Sequence, residues 1–264
     1  MKKMQKNFDL NQNYYTYINN NTVPLLFIHG VGLDQKMWEP QTNYFKNYST
    51  ITYDLLGHGK TPYIKEKITM KDYTDQLISL INYLKIDKIN LVGFSIGSLI
   101  ALNFAANYQN KLNSLILIAT TYKRNETQRQ QVIDRVNLAK SGKSISKLAL
   151  ERWFTDKYLK KNPDVYEKFT KILSKKPDDQ KNFINAYELF ANYQDNIDMI
   201  KKIETNTLVM TGSLDPGSTP EMSKNLSNDL KNSLYTEINA GKHLCSIECA
   251  DDVNINIKKF IENA

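Results

Sequence analysis

The chain has 264 residues, of which 41% are hydrophobic, 11% aromatic and 24% charged. That composition supports one large folded domain or two small ones, and excludes a disordered chain or a scaffold that needs disulfide staples. The net charge of +7, from 35 basic and 28 acidic residues, would suit a polyanion partner. Interleaved basic and aromatic stripes and RNA-binding motifs are absent, however, so no nucleic-acid partner is expected.

From the N-terminus, MKKMQKNFDLNQ begins basic with no apolar segment behind it. No signal peptide is expected, and the cytoplasm is the expected location. Residues 14–18 followed by Asn19-Asn20-Asn21 predict a strand and turn. Short, largely apolar stretches at 25–28, 51–53, 89–92, 115–118, 208–210 and 235–238, continuous rather than alternating in pattern, predict strands buried on both faces, as in a parallel sheet. Between them, apolar residues at helical spacing predict helices over 70–84, 96–108 and 252–261. The longest apolar stretch, 91–106, is interrupted by Gly93, Ser95, Gly97, Ser98 and Asn103, so no membrane span is expected. Alternating strands and helices predict an α/β fold with a mostly parallel, doubly wound sheet. The alternation lapses once. Residues 121–200 read as amphipathic helices over 132–138, 148–154 and 183–193, punctuated by Pro163 and Pro177. They predict a helical cap inserted into a core made of residues 1–120 and 201–264.

The motif richest in chemistry is Gly93-Phe94-Ser95-Ile96-Gly97. It follows a predicted strand and opens a predicted helix, the setting a G-x-S-x-G nucleophile elbow requires. So tight a turn needs small neighbours, lifts the serine hydroxyl off the sheet edge and aims the Ile96 N–H at the reacting centre. A serine hydroxyl needs a base to act as a nucleophile. Of the three histidines, His29, His58 and His243, only His243 lies far downstream after the last strand, as the order nucleophile, acid, histidine demands. Asp215, on the loop after the 208–210 strand, is the candidate orienting acid. Asp195 and Asp198 precede that strand, and no acid directly follows the 115–118 strand. The loop His29-Gly30-Val31-Gly32 offers the Val31 N–H as a second oxyanion donor beside Ile96. His29 itself is expected to tie down that loop.

All four arginines, Arg124, Arg129, Arg135 and Arg152, fall within the predicted cap. Arginine pairs with carboxylates through two parallel hydrogen bonds, so Arg152, beside Trp153, and Arg124 are candidate contacts for a small anionic substrate. Residues 121–200 hold 16 basic against 11 acidic residues, and the rest of the chain 19 against 17. Most of the positive excess is thus local, and would steer small anions in a salt-dependent way. Cys245 and Cys249 are too few for a disulfide scaffold. A zinc site with His243 would consume the predicted base and lacks a fourth ligand, so no metal or organic cofactor is expected.

On these motifs the chain resembles the α/β-hydrolase fold superfamily over nearly its whole length, and within it the 3-oxoadipate enol-lactonase and esterase group. The segments that carry the closer resemblance are Gly32-Leu33-Asp34 with Met37-Trp38, Glu151-Arg152-Trp153-Phe154-Thr155, Asp215-Pro216 with Thr219-Pro220-Glu221, and the run His243-Leu244-Cys245-Ser246-Ile247-Glu248. Ser98 departs from the family's usual second glycine, and is expected to crowd the pocket slightly. The resemblance implies a carboxylic ester hydrolase acting on a small ester or lactone through Ser95, His243 and Asp215. Alternatives are a general carboxylesterase, a carbon–carbon bond hydrolase, an acyl-carrier-protein ester hydrolase and, outside enzymes, a hydrolase-fold ligand receptor. Dehalogenases and epoxide hydrolases of this fold use an aspartate where Ser95 stands.

Overall fold

The computed structural model describes residues 3–63, 66–173 and 177–263. Side chains 25 to 28 alternate between two apolar clusters, Leu26 and Ile28 in one, Leu25 and Phe27 in the other. Both faces of this strand are covered, which is why its sequence is an unbroken apolar run. Eight strands form one sheet: β1 (Lys3–Phe8), β2 (Tyr14–Asn19), β3 (Leu25–Ile28), β4 (Thr50–Tyr53), β5 (Ile89–Phe94), β6 (Leu112–Ile118), β7 (Thr207–Gly212) and β8 (Ser233–Ile238). Their order is β1-β2-β4-β3-β5-β6-β7-β8. β1 pairs antiparallel with β2, and β2 antiparallel with β4. The other neighbours are parallel.

Helices cover both faces. After α1 (Glu39–Tyr44) come α2 (Met70–Tyr83) and α3 (Ile96–Tyr108). α2 begins at a capping box, in which Thr69 Oγ1 accepts from Asp72 N while Asp72 accepts from Thr69 N. α2 and α3 pack Leu77, Ile81, Leu99 and Ile100 on the Leu26 side. Between β6 and β7 the chain makes only helices among its described residues: α4 (Glu126–Lys140), α5 (Ser146–Trp153), α6 (Asp156–Lys161), α7 (Pro163–Leu173), α8 (Pro177–Asn192) and α9 (Ile197–Ile200). Pro163 and Pro177 stand at first helical positions, where the missing N–H costs nothing. α10 (Pro220–Asp229), α11 (Cys245–Glu248) and α12 (Ala250–Glu262) complete the chain. α12 buries Val253 and Ile257 on the Leu25 side.

The strand and helix positions above are borne out, with ends shifted by up to six residues, but β8 is not buried on both faces: it lies at the sheet's edge, where Leu234 and Glu237 are exposed and Tyr235 and Thr236 half-buried. Strand β1 and helices α1, α6, α7, α9, α10 and α11 were not anticipated as separate elements. The β1 sequence, KMQKNF, carries no apolar run and is held by pairing with β2 at the sheet's edge. Among the described residues, no helix is long and apolar enough to cross a membrane.

Candidate active site

The candidate nucleophile stands where β5 turns into α3. Ser95 has φ 56° and ψ −117°, a strained conformation for a residue with a side chain. Two contacts impose the glycines on either side. A Cβ on Gly93 would lie 2.4 Å from the Gly97 carbonyl oxygen, and one on Gly97 would lie 2.4 Å from that of Ile28. Strand, turn and helix are therefore in backbone contact, and no side chain fits between them. Ser95 N donates to Ile118 O at 3.0 Å, which anchors the turn to the neighbouring strand.

Ser98 does not reach the cavity. Its fully buried hydroxyl donates to Gly93 O at 2.7 Å and accepts from Ile118 N at 3.1 Å. The departure from glycine thus fastens the first turn of α3 to β5 and β6, and does not crowd the pocket. Ser98→Ala would strand the Gly93 and Ile118 groups in a dry interior. We expect a loss of about 1–3 kcal/mol of stability, read as a lower urea midpoint at unchanged slope.

The candidate acid and base arrive together on the loops after β7 and β8. These loops touch through their backbones: Ser213 N donates to Ile238 O and Leu214 N to Gly241 O, each at 2.9 Å. A Cβ on Gly212 would meet Gly241 O at 2.2 Å. Asp215 and His243 are both buried, and Asp215 Oδ2 lies 2.7 Å from His243 Nδ1. The other carboxylate oxygen accepts from Gly217 N at 2.8 Å and Ser218 N at 3.0 Å. Burial pushes the Asp215 carboxyl up, but the His243 charge and hydrogen bond and those two N–H donors outweigh it, so it stays below the ordinary value. For His243 burial pushes the pKa down. Asp215 offsets this only in part, and Arg152 and Arg135 add to the lowering. The His243 pKa thus lies below the ordinary imidazole value, which favours the neutral ring that can accept a proton.

Ser95 and His243 line one cavity of about 40 Å³, together with Val31, Leu33, Phe94 and the helical residues Arg152, Trp153, Leu173, Phe183 and Tyr187. Among the described residues the N–H groups of Val31 and Ile96 have no backbone acceptor in the turns around them, where Leu33 N donates to Gly30 O and Ser98 N to Ser95 O. His29 ties the loops down: its Nδ1 donates to Gly30 O at 2.8 Å, and its Nε2 accepts from Leu55 N at 3.0 Å.

The four arginines divide. Arg124 and Arg129 donate to backbone carbonyls at the C-terminal end of α8, those of Phe190 and Tyr193. Arg124 departs from the expectation for it: its guanidinium lies 4.9 Å from the Phe190 ring and does not line the cavity. Arg135 Nε donates to Tyr187 Oη at 3.1 Å. Arg152 stands in the cavity wall, close enough to Gly217 that a Cβ there would lie 3.1 Å from Nη1. Its buried Nε, and the buried Nε1 of Trp153 beside it, have no acceptor among the described residues. Sequence reading missed Phe183, Tyr187 and Phe190 as cavity residues. Their spacing of four and three along α8 was the available signal, since it puts them on one stripe.

This architecture has relatives. Residues 23–249 match the alpha/beta hydrolase fold family. The chain belongs to it. Among relatives, the (E)-2-((N-methylformamido)methylene)succinate hydrolase of Acinetobacter baylyi is 29% identical over 244 residues, covering 90% of each chain. The 3-oxoadipate enol-lactonase 2 of the same organism is 25% identical, covering 91% of this chain and 89% of its own. Among solved structures, the enol-lactonase from Burkholderia xenovorans LB400 superposes with a TM-score of 0.86 at 23% identity, over 96% of this chain and 98% of the other. The chain is thus an alpha/beta hydrolase with enol-lactonases among its relatives, and the fold supports a hydrolase.

Proposed function

We propose that this alpha/beta hydrolase cleaves an ester or lactone bond of a small anionic substrate through Ser95, His243 and Asp215. The observation that carries the reading is one cavity holding both the strained Ser95 and a His243 whose Nδ1 lies 2.7 Å from the buried Asp215 carboxylate. His243 takes the Ser95 proton as the oxygen attacks the carbonyl. The oxyanion forms against the Val31 and Ile96 N–H groups, which aim at charge that exists only as the reaction proceeds. His243 then protonates the leaving oxygen and activates water to release the acid. In a lactone the leaving oxygen stays tethered to the acyl group, so one molecule leaves. Residues 121–200 act as the cap over a core of 1–120 and 201–264, and supply the substrate contacts. Arg152 pairs with the carboxylate and Trp153 flanks it. The names of the relatives, a succinate derivative and an oxoadipate lactone, fit a small acidic substrate.

The test is a hydrolysis panel of p-nitrophenyl acetate, mono-p-nitrophenyl succinate, small lactones, an enol-lactone acid and a vinylogous diketone. Turnover of the enol-lactone acid or the anionic ester well above that of the acetate supports the reading. Cleavage confined to the diketone would replace it with carbon–carbon bond hydrolysis. Arg152→Ala separates charge recognition from chemistry. Truncating one partner of a buried charge pair costs about 2–5 kcal/mol, so kcat/KM for the anionic ester should fall at least 30-fold. The acetate, which has no carboxylate, should change little. Because Arg152 holds the His243 pKa down, the acid limb of the variant's kcat/KM profile should also move to higher pH.

A further inference from the structure

Two segments that carry the closer resemblance, residues 151–155 and 243–248, lie about 90 residues apart in the chain and form one structure. Leu244 N donates to Trp153 O at 3.0 Å, and Lys242 Nζ to Glu151 O at 2.7 Å. The centre of the joint is Glu248. One of its oxygens accepts from Thr155 N at 3.1 Å and, in a shorter contact, from the Thr155 hydroxyl. The other accepts from Lys242 N at 3.3 Å. Thr155 serves two structures at once, because its Oγ1 also accepts from Tyr158 N to cap α6. That capping bond leaves the hydroxyl proton for Glu248. Helix α11 is a single turn, so Glu248 at its end returns beside the backbone N–H next to His243. One half-buried carboxylate thus holds the residue before the candidate base and the residue just past Arg152 and Trp153.

We propose that Glu248 is a positioning residue, which holds the Arg152 end of α5 in register with the His243 loop and thereby sets selectivity for anionic substrates. The proposal rests on the hydrolase reading above. A carboxylate that only stabilised the fold would, when removed, lower turnover of all substrates alike. A pin between the anion contact and the base acts on the distance between the substrate's two ends, so its loss falls on substrates that use both.

The experiment compares p-nitrophenyl acetate with mono-p-nitrophenyl succinate, which share a leaving group and differ in the distal carboxylate. Wild type, Glu248→Ala, Glu248→Gln, Arg152→Ala and the Glu248→Ala/Arg152→Ala double variant are measured as full chains. Glu248→Ala should lower kcat/KM for the succinate ester at least tenfold more than for the acetate, mainly through KM. Glu248→Gln keeps a carbonyl for Thr155 but sets an NH2 group against Lys242 N–H, so its loss should be intermediate. In the Arg152→Ala background the extra loss should disappear, as coupling through Arg152 requires. Equal losses on the two esters, or losses that add fully in the double variant, overturn the proposal. If wild type cleaves only lactones, the same comparison is made between the enol-lactone acid and a neutral lactone; if it cleaves no member of the panel above, the hydrolase reading is at fault, and amide exchange then decides the joint by itself. Exchange at Leu244, whose own bond is to Trp153, should be at least tenfold faster in Glu248→Ala, and an unchanged rate overturns it.

Discussion

Ser95→Ala should abolish hydrolysis while leaving the protein folded, with kcat falling about 10⁴–10⁶-fold. Among the described residues lining the cavity, none other carries a thiol or an aliphatic hydroxyl. Cys245 is buried, with its thiol pushed above the ordinary range by burial, and Cys249 is shifted up to about 11. Neither is a thiolate near neutrality. The substitution keeps the Cβ and so the geometry of the turn, which Gly93 and Gly97 fix by backbone contact. Circular dichroism and the urea midpoint should therefore match wild type. The measurement is single-turnover and steady-state hydrolysis of the best ester in the panel. A variant retaining a tenth of wild-type kcat would remove Ser95 from the mechanism.

Asp215→Asn is the second large effect, and hydrogen-bond polarity predicts it. One carboxylate oxygen is held by the Gly217 and Ser218 N–H groups, so an amide there must keep its carbonyl on that side. The NH2 group then faces His243 Nδ1, where Oδ2 lies at 2.7 Å in the native protein. Two donors cannot face each other, so Nδ1 must give up its proton, which moves to Nε2. A protonated Nε2 cannot accept the Ser95 proton. By this tautomer reversal kcat should fall about 10⁴-fold with little change in geometry. The fold-change in kcat and the NMR coupling pattern of His243 check the two halves of the argument.

The sheet and the candidate site were legible in the sequence for one reason. Parallel strands buried on both faces leave largely apolar runs, and the loops that follow them carry the candidate site residues. Glycine on both sides of Ser95 marked a turn too tight for side chains, and the scarcity of histidine left His243 as the base to test. What was illegible depends on distant partners. β1 has no apolar run of its own and exists through its pairing with β2. Arg124 and Arg152 look alike in sequence, yet one is absorbed by carbonyls at the end of α8 while the other faces the cavity. Only the fold of α8 against α4 separates them. Likewise nothing local to Thr155 says that its partner is Glu248.

The contact between the Asp215 and His243 loops has a consequence for how the protein loses activity. Both loops belong to β7 and β8, the last two strands at one edge of the sheet, whereas Ser95 sits on central β5. β8 has a single neighbour, and its residue Leu234 is 62% exposed. Edge elements open with less free energy than the centre. Fraying that starts at this edge therefore takes the candidate acid and base away as one unit while the candidate nucleophile stays in its strained turn. Under mild denaturant, inactivation should run ahead of global unfolding, and it should reverse as a single step when the edge re-zips.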